Sequence, residues 1–140
     1  MDYLGFTIWE LSNEWQKQLL VKLEEINITH VQFLILKAVY ELEVHHEEKT
    51  QIRVSDKAKT NIMMTSKVIR TLIKKGYLTR YEHAIDKRAF RVSITKEGKK
   101  ILRKSINVVD SFEKEFFQSL SKKKIFKKEL KRLVKKNKTP

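Results

Sequence analysis

A change of pattern at Gly76 constrains the fold of this chain more than any other feature. Before it, from Asn61 onward, apolar residues recur every three or four positions, which is the spacing of a helix with one buried face. After it, residues 77–83 and 88–95 are short, rich in aromatic and β-branched side chains, and partly alternating. The pattern therefore predicts a helix followed by an antiparallel hairpin.

The predicted helix has two unlike faces. At 100° per residue, its apolar face holds Thr65, Val68, Ile69 and Leu72. Its opposite face is polar and basic and holds Met63, Ser66, Lys67, Arg70, Thr71 and Lys74. Asn61 is a suitable N-cap, and Gly76 suits the position after the last turn. By itself such a helix could be core, lie on a membrane surface, or insert into a charged partner.

Further helices are predicted on both sides of this unit, over residues 7–25, 30–45, 51–58 and 96–119, with a last one after Ser121. Thr29 and Gln32 have the spacing of a capping box, and Thr95 and Ser121 are suitable caps for the last two helices. The chain of 140 residues has only 3 Gly and 1 Pro, too few for the turns of an all-β protein. The predicted fold is mainly α, with a small antiparallel β-hairpin.

The net charge of +14 is concentrated in two blocks. Residues 50–100 carry 14 basic and 4 acidic residues, and residues 121–140 carry 10 and 1, whereas residues 1–49 carry 4 and 9. A basic block inside a folded domain indicates a polyanion as partner. Charge that merely keeps the protein soluble is the alternative.

Several functional classes are not expected. Because the chain has no cysteine, disulfides, thiolate metal sites, cysteine nucleophiles and thiol sensing are excluded. Adjacent His45 and His46 would point about 100° apart on a helix, so they make a poor metal-chelating pair. No nucleophile motif or phosphate-binding glycine loop is present, so neither an enzyme nor a bound cofactor is expected. No secretory signal or apolar run of about 18 residues occurs, so a cytoplasmic location without membrane contact is expected.

A short helix, a tight turn, a basic helix and a hairpin together make a winged helix-turn-helix. In that fold the basic helix lies in the major groove of DNA, and the hairpin reaches the backbone or minor groove. The candidate DNA contacts are Asn61, Met63, Thr65, Ser66, Lys67, Arg70, Thr71, Lys74, Lys87, Arg88 and Arg91. Met63 could contact a thymine methyl group or be exposed without a function. Lys67, Arg70 and Lys74 could simply form a solvated face of the helix. Asp86 either orients Arg88 by a charge-assisted hydrogen bond or serves as a turn former.

Specific motifs resemble those of the MarR (multiple antibiotic resistance regulator) family of bacterial transcription factors. The wing motif of that family is matched by Asp86, Arg88, Val92, Ile94, Thr95 and Gly98. Its recognition-helix motif is matched by Met63, Met64, Thr65, Ser66, Val68, Arg70 and Leu72. The chain departs from the family at Val54-Ser55, where Leu-Ala is usual, and at Lys59, where many members have Gly. A non-Gly residue at the turn is expected to adopt the same conformation at modest cost.

The resemblance implies a homodimer, with two winged-helix regions over 29–98 and a helical dimerisation region over 1–28 and 99–136. Residues 137–140 are expected to fray. The apolar residues assigned to dimerisation are Ile8, Leu11, Trp15, Leu19, Phe112, Phe116, Leu120, Phe126, Leu130 and Leu133. The acidic first helix and the lysine-rich last helix are complementary in charge. The terminal lysines could instead add attraction to DNA phosphates.

The expected function is a DNA-binding transcriptional regulator, and a repressor in particular, acting on a pseudo-palindromic site. Family members often bind small aromatic molecules, and Trp15, Phe33 and Tyr40 could line such an effector cleft, although core packing explains these residues equally well. A low-specificity architectural or replication-associated DNA binder is the alternative function. A third possibility is a winged helix used for contacts with proteins.

Overall fold

The order of elements in the computed structural model, which describes residues 1–82 and 90–139, is that of a winged helix-turn-helix. The described residues form α1 (Leu4–Glu24), α2 (His30–Val44), α3 (Gln51–Ala58), α4 (Ile62–Lys74), β1 (Leu78–Glu82), β2 (Phe90–Ile94), α5 (Lys96–Phe116) and α6 (Lys123–Lys136). The predicted fold, mainly α with one antiparallel hairpin, is confirmed.

Three of the four predicted helix caps are present. The Thr29 hydroxyl accepts a hydrogen bond from the Gln32 amide at 3.1 Å, and the Gln32 side chain accepts one from the Thr29 amide, so the capping box is complete. Asn61 caps α4 and Thr95 caps α5 in the same way. The fourth prediction is wrong, because α6 begins after Lys122 and has no side-chain cap.

The turn between α3 and α4 tolerates Lys59 in place of glycine. Lys59 has a left-handed backbone, with φ 59° and ψ 40°, a conformation that costs a side-chain-bearing residue about 1 kcal/mol. Ser55 stabilises the turn twice, because its hydroxyl donates to the Thr60 carbonyl and its own carbonyl accepts from the Thr60 amide. The departure from the usual Leu-Ala pair thus supplies a hydrogen bond at the turn where the usual glycine is missing.

The core is built around α2. This helix buries residues on more than one side, namely Gln32, Phe33, Ile35, Leu36, Ala38, Val39 and Leu42. It packs against α1, α3, α4, α5 and β2, whereas β1 is held through β2 and α4. The predicted helix over residues 30–45 is therefore the central helix of the core.

The wing sheet is larger than the predicted hairpin. β1 and β2 pair antiparallel, with Leu78 opposite Ile94 and Arg80 opposite Val92. On the other edge of β2, the Val92 amide donates to the Lys49 carbonyl at 3.1 Å, and Thr50 forms a bridge with Arg91. The stretch before α3, which the sequence pattern presents as a loop, therefore adds a short third edge to the sheet.

The terminal helices differ in how much of their surface is buried within the protomer. α1 packs on α5 and buries Leu19 at 0% exposure, and α5 buries Phe112 at 6%, so the assignment of these two residues to a dimer interface is wrong. The other residues assigned to dimerisation keep accessible surface, namely Ile8, Leu11, Trp15, Phe116, Leu120, Phe126, Leu130 and Leu133. α6 buries none of its residues. Among the described helices, none is long and apolar enough to cross a lipid bilayer.

Candidate nucleic-acid interface

One face of α4 is fixed to the core. Thr65, Ile69 and Leu72 are each 0% exposed. The Thr65 hydroxyl donates to the Asn61 carbonyl at 2.8 Å and lies 2.6 Å from the Thr60 hydroxyl. The prediction that Thr65 contacts DNA is therefore wrong: its side chain is part of the packing that holds α4 in place.

The opposite face of α4 forms a continuous surface, here called the α4 ridge. It consists of Met63, Ser66, Lys67, Arg70, Thr71 and Lys74, all of them at least partly accessible. Met63 is 83% exposed. In the described part of the chain, no carboxylate forms an ion pair with Lys67, Arg70 or Lys74. The ridge therefore combines uncompensated positive charge with hydroxyl groups and one large apolar side chain.

The N-terminal part of the α4 ridge is held by two side-chain hydrogen bonds. Asn61 Oδ1 accepts from the Met64 amide at 2.8 Å, which leaves its side-chain amide group facing outward as a donor. Gln51, the first residue of α3, donates to the Ser66 hydroxyl at 3.4 Å. Sequence reasoning did not find Gln51, although its place directly after the α3 cap Thr50 puts it at the start of the first helix of the motif.

Arg91 does not belong to the exposed basic surface. It is only 7% exposed, and its Nη2 lies 3.1 Å from Oε1 of Glu48. The predicted DNA contact is wrong, because the Arg91 side chain is almost fully buried and its guanidinium pairs with Glu48, just before the short third edge of the sheet. On β1, the Arg80 guanidinium lies 4.1 Å above the Phe90 ring, a cation–π contact at an accessible position. The predicted wing residues Asp86, Lys87 and Arg88 lie outside the described residues.

Glu43 joins the end of α2 to the wing. Its Oε1 accepts hydrogen bonds from the Ser93 hydroxyl and from the Ile94 amide at 3.2 Å, and it lies 3.3 Å from the Lys49 ammonium. Burial by itself raises the pKa of Glu43, but these hydrogen bonds and the Lys49 charge outweigh burial and hold that pKa below its ordinary value. Sequence reasoning did not single out Glu43, because its partners on β2 are about fifty residues away along the chain.

The three residues expected to line an effector cleft have different surroundings within the protomer. Trp15 contacts the His30 ring edge-on at 5.1 Å between centroids, and its Nε1 donates to Glu113 at 3.0 Å. Phe33 is 5% exposed and belongs to the core. Tyr40 lies further along α2, over a groove that it shares with Lys99, Leu102, Arg103 and Ile106. An effector cleft between the dimerisation and DNA-binding parts of two chains, with these residues in its lining, stays a prediction.

Two titratable groups lie near Trp15. Burial of the His30 ring lowers its pKa, and the negative charge of Glu113 opposes this shift only in part. The neutral ring is thus favoured where α1, α2 and α5 meet. Over residues 1–82 and 90–139, no three side chains of the usual metal-binding types come together, and His45 and His46 are exposed.

The geometry defines a class of protein: a winged helix-turn-helix with an exposed basic recognition helix. The family model for the ArnR1-like winged-helix domain matches residues 24–113. An uncharacterized HTH-type transcriptional regulator of Bacillus subtilis, YdcH, is 35% identical over 131 residues, which cover 94% of this chain and 89% of that protein. The chain belongs to the MarR family of winged-helix transcription regulators.

Solved structures have the same fold over nearly the whole chain. The S. aureus MepR–DNA complex superposes with a TM-score of 0.86 at 22% identity, covering 97% of this chain and 99% of that one. A single-residue mutant of E. coli MarR complexed with operator DNA gives a TM-score of 0.78 at 22% identity, with 95% and 91% covered. The similarity includes the terminal helices, so the fold match is not limited to the winged helix.

Proposed function

We propose that this protein is a sequence-specific DNA-binding transcriptional repressor that acts as a homodimer on a pseudo-palindromic operator. The observation that carries the proposal is the α4 ridge: a helix anchored by three fully buried residues presents Lys67, Arg70 and Lys74 without carboxylate partners among the described residues. A rigid, cationic helix of this kind fits the major groove, where each base pair has a distinct set of donors and acceptors. Two of the similar structures are described as complexes with DNA.

The ridge divides into two kinds of contact. Lys67 and Lys74 supply charge for phosphates, whereas Arg70 can form two parallel hydrogen bonds with a guanine edge, a contact worth about 1–3 kcal/mol of discrimination. The Ser66 hydroxyl can donate to phosphates or bases, and the Thr71 hydroxyl can do so once it leaves the Lys67 carbonyl, to which it donates at 3.3 Å. The Asn61 amide, at the start of α4, is a further donor.

The wing is the second contact region in this proposal. From the sequence, Arg88 probes the minor groove, Lys87 adds phosphate attraction and Asp86 orients Arg88. Arg80, stacked on Phe90 at the base of the sheet, is an additional cation near the same groove. A narrow minor groove concentrates negative potential and attracts such side chains.

Dimerisation is supported by apolar surface that a single protomer leaves uncovered. On α1, Ile8 is 53% and Leu11 42% exposed, and on α6 Leu130 is 40% and Leu133 53% exposed. We propose that residues 1–28 and 99–136 of two chains cover these side chains mutually, and that residues 29–98 of each chain bind one half-site.

Release from DNA by a small molecule is also part of the proposal. The Trp15–Glu113 hydrogen bond joins α1 to α5. Both of these helices also pack against α2, which belongs to the winged helix. A ligand that displaced this bond would change the spacing of the two α4 helices in the dimer. Because the half-sites are fixed by the DNA, such a change weakens binding.

The second candidate function is a DNA binder with little sequence choice. The observation that favours it is α6, whose lysines are all exposed within a block of 10 basic residues and 1 acidic residue over 121–140. Phosphate attraction of this kind is independent of sequence. In this alternative the α4 ridge adds charge and no base contacts.

Selection of bound fragments from genomic DNA, followed by footprinting of the enriched sequence, tests the proposal. We expect a near-palindrome with protected half-sites about one helical turn, ~10 bp, apart, and two chains per duplex by sedimentation. Enrichment of unrelated sequences with continuous protection would instead support the second candidate. One chain per duplex would contradict the dimer.

A further inference from the structure

An apolar side chain at the start of α4 is unexplained by charge attraction to DNA. Met63 is 83% exposed, and its neighbours Ile62 and Met64 are 47% and 42% exposed. These three side chains make the start of α4 apolar on its outside, whereas the other residues of the α4 ridge are polar or cationic. A single exposed apolar side chain would need no explanation, but a contiguous apolar patch beside polar residues marks a contact site on a protein surface.

The position of Met63 relative to the rest of the α4 ridge is well defined. Asn61 caps the helix two residues earlier, which fixes the first turn. Ser66 follows one turn later and is held by Gln51 from α3. Arg70 lies seven residues after Met63, so the two side chains point in nearly the same direction about 10 Å apart along the axis. That distance corresponds to about three base pairs of DNA.

In the major groove, the apolar group that a base edge offers is the C5-methyl of thymine. The N-terminal residues of a recognition helix are the ones that contact base edges. Methionine suits this contact, since its unbranched, polarizable thioether adapts to an apolar surface of irregular shape. We infer that Met63 recognises a thymine methyl group in each half-site, about three base pairs from the position that Arg70 contacts. This inference rests on the proposed function and specifies one base of each operator half-site.

Replacement of thymine by uracil tests the inference directly, because uracil lacks the methyl group and keeps every hydrogen-bonding atom of the base edge. The selected operator duplex is made with each thymine replaced singly, and affinity is measured at fixed salt. We expect one position per half-site at which uracil weakens binding by wild-type protein about fourfold, the value of one buried methyl group.

Three variants identify the residue responsible. Met63→Ala is expected to bind the thymine and uracil duplexes equally at that position, and Met63→Leu to restore the preference for thymine. Lys74→Ala is the matched control on the same ridge: it should weaken both duplexes by the same factor. Thermal unfolding of Met63→Ala should match that of wild type, because the side chain is mostly in solvent.

The outcomes separate the inference from the proposed function. If wild-type protein binds the operator selectively but shows no thymine preference at any position, the inference is overturned and the function stands. The same holds if Met63→Ala keeps the full preference. If the protein binds no duplex even at low salt, both are overturned.

Discussion

Nη2 of Arg91 on β2 lies 3.1 Å from Oε1 of Glu48, so an ion pair ties the wing to the residues just before α3. The two partners differ in environment, since the side chain of Arg91 is 9% exposed and that of Glu48 is 63% exposed. The adjacent backbone bond from Val92 to Lys49 joins the same two segments. The wing and the start of α3 are therefore connected as one unit, and α3 in turn packs on α4.

Removal of the buried partner is expected to cost more than removal of the exposed one. Arg91→Ala loses the packing of a buried side-chain stem as well as the ion pair, so we expect it to lower the free energy of unfolding by about 2 kcal/mol. Glu48→Gln, the matched control, should cost less than about 1 kcal/mol, as for other exposed pairs. Chemical denaturation measures both. Equal, small losses would show that Arg91 is not part of the packed structure.

Protonation of Glu43 is expected to lower the free energy of unfolding at acid pH. Because the pKa of Glu43 in the folded protein is below its ordinary value of 4.5, the ionised group stabilises the fold above that value. This contribution is lost as the pH falls through the lower, folded pKa. The unfolding free energies of wild type and Glu43→Gln should differ by a constant amount between about pH 6 and 7, and the difference should shrink below about pH 4.5. A difference that does not change with pH would contradict this role.

Truncation after Ser121 tests the role of α6. This helix buries none of its residues in the protomer, and Ile125, Leu133 and Val134 are more than half exposed. We expect the truncated chain to keep its helical circular dichroism and to sediment as a monomer at micromolar concentration. If it remains a dimer and only the salt dependence of DNA binding becomes shallower, by about 0.9 in log–log slope per lost phosphate contact, the lysines of α6 serve the DNA.

Arg70 is expected to carry sequence discrimination. Arg70→Ala should weaken binding to the selected operator by about 1–3 kcal/mol and relax the base preference at one position per half-site, while affinity for random duplex changes much less. Lys74→Ala, one turn later on the same ridge, should weaken both duplexes to a similar degree. Parallel titrations at one salt concentration measure these losses. Equal losses with Arg70→Ala on both duplexes would assign Arg70 to phosphate.

The local features of this fold could be predicted from the sequence because they depend on near neighbours. Thr29, Asn61 and Thr95 each cap a helix through an amide three residues later, and such spacing is visible in the chain itself. Gly76 has φ 81°, a conformation that glycine adopts without strain. The faces of α4 follow from helical geometry alone, which is why most of the α4 ridge could be assigned.

The errors came from contacts between segments that the sequence pattern does not connect. The alternation of β2 places Arg91 opposite the core, but it does not show that Lys49 and Thr50 pair with the free edge of that strand or that Glu48 pairs with Arg91. Thr65 lies on the predicted apolar face of α4, and the polarity of its side chain is the only reason to expect a DNA contact, whereas its hydroxyl bonds to Asn61 and Thr60 inside the turn. Leu19 lies on an apolar stripe of α1 that also includes the exposed residues Ile8 and Leu11. The spacing of the stripe does not show which of its residues are buried within the protomer.

A competition titration with two duplexes tests the central claim, that the α4 ridge reads base sequence, most directly. The dissociation constants for the genomically selected operator and for a random duplex of the same length are measured at the same near-physiological salt concentration. We expect the operator to bind at least ~10³-fold more tightly, the lower bound for specific recognition. A ratio near one would contradict sequence reading by α4 and identify the protein as a general DNA binder.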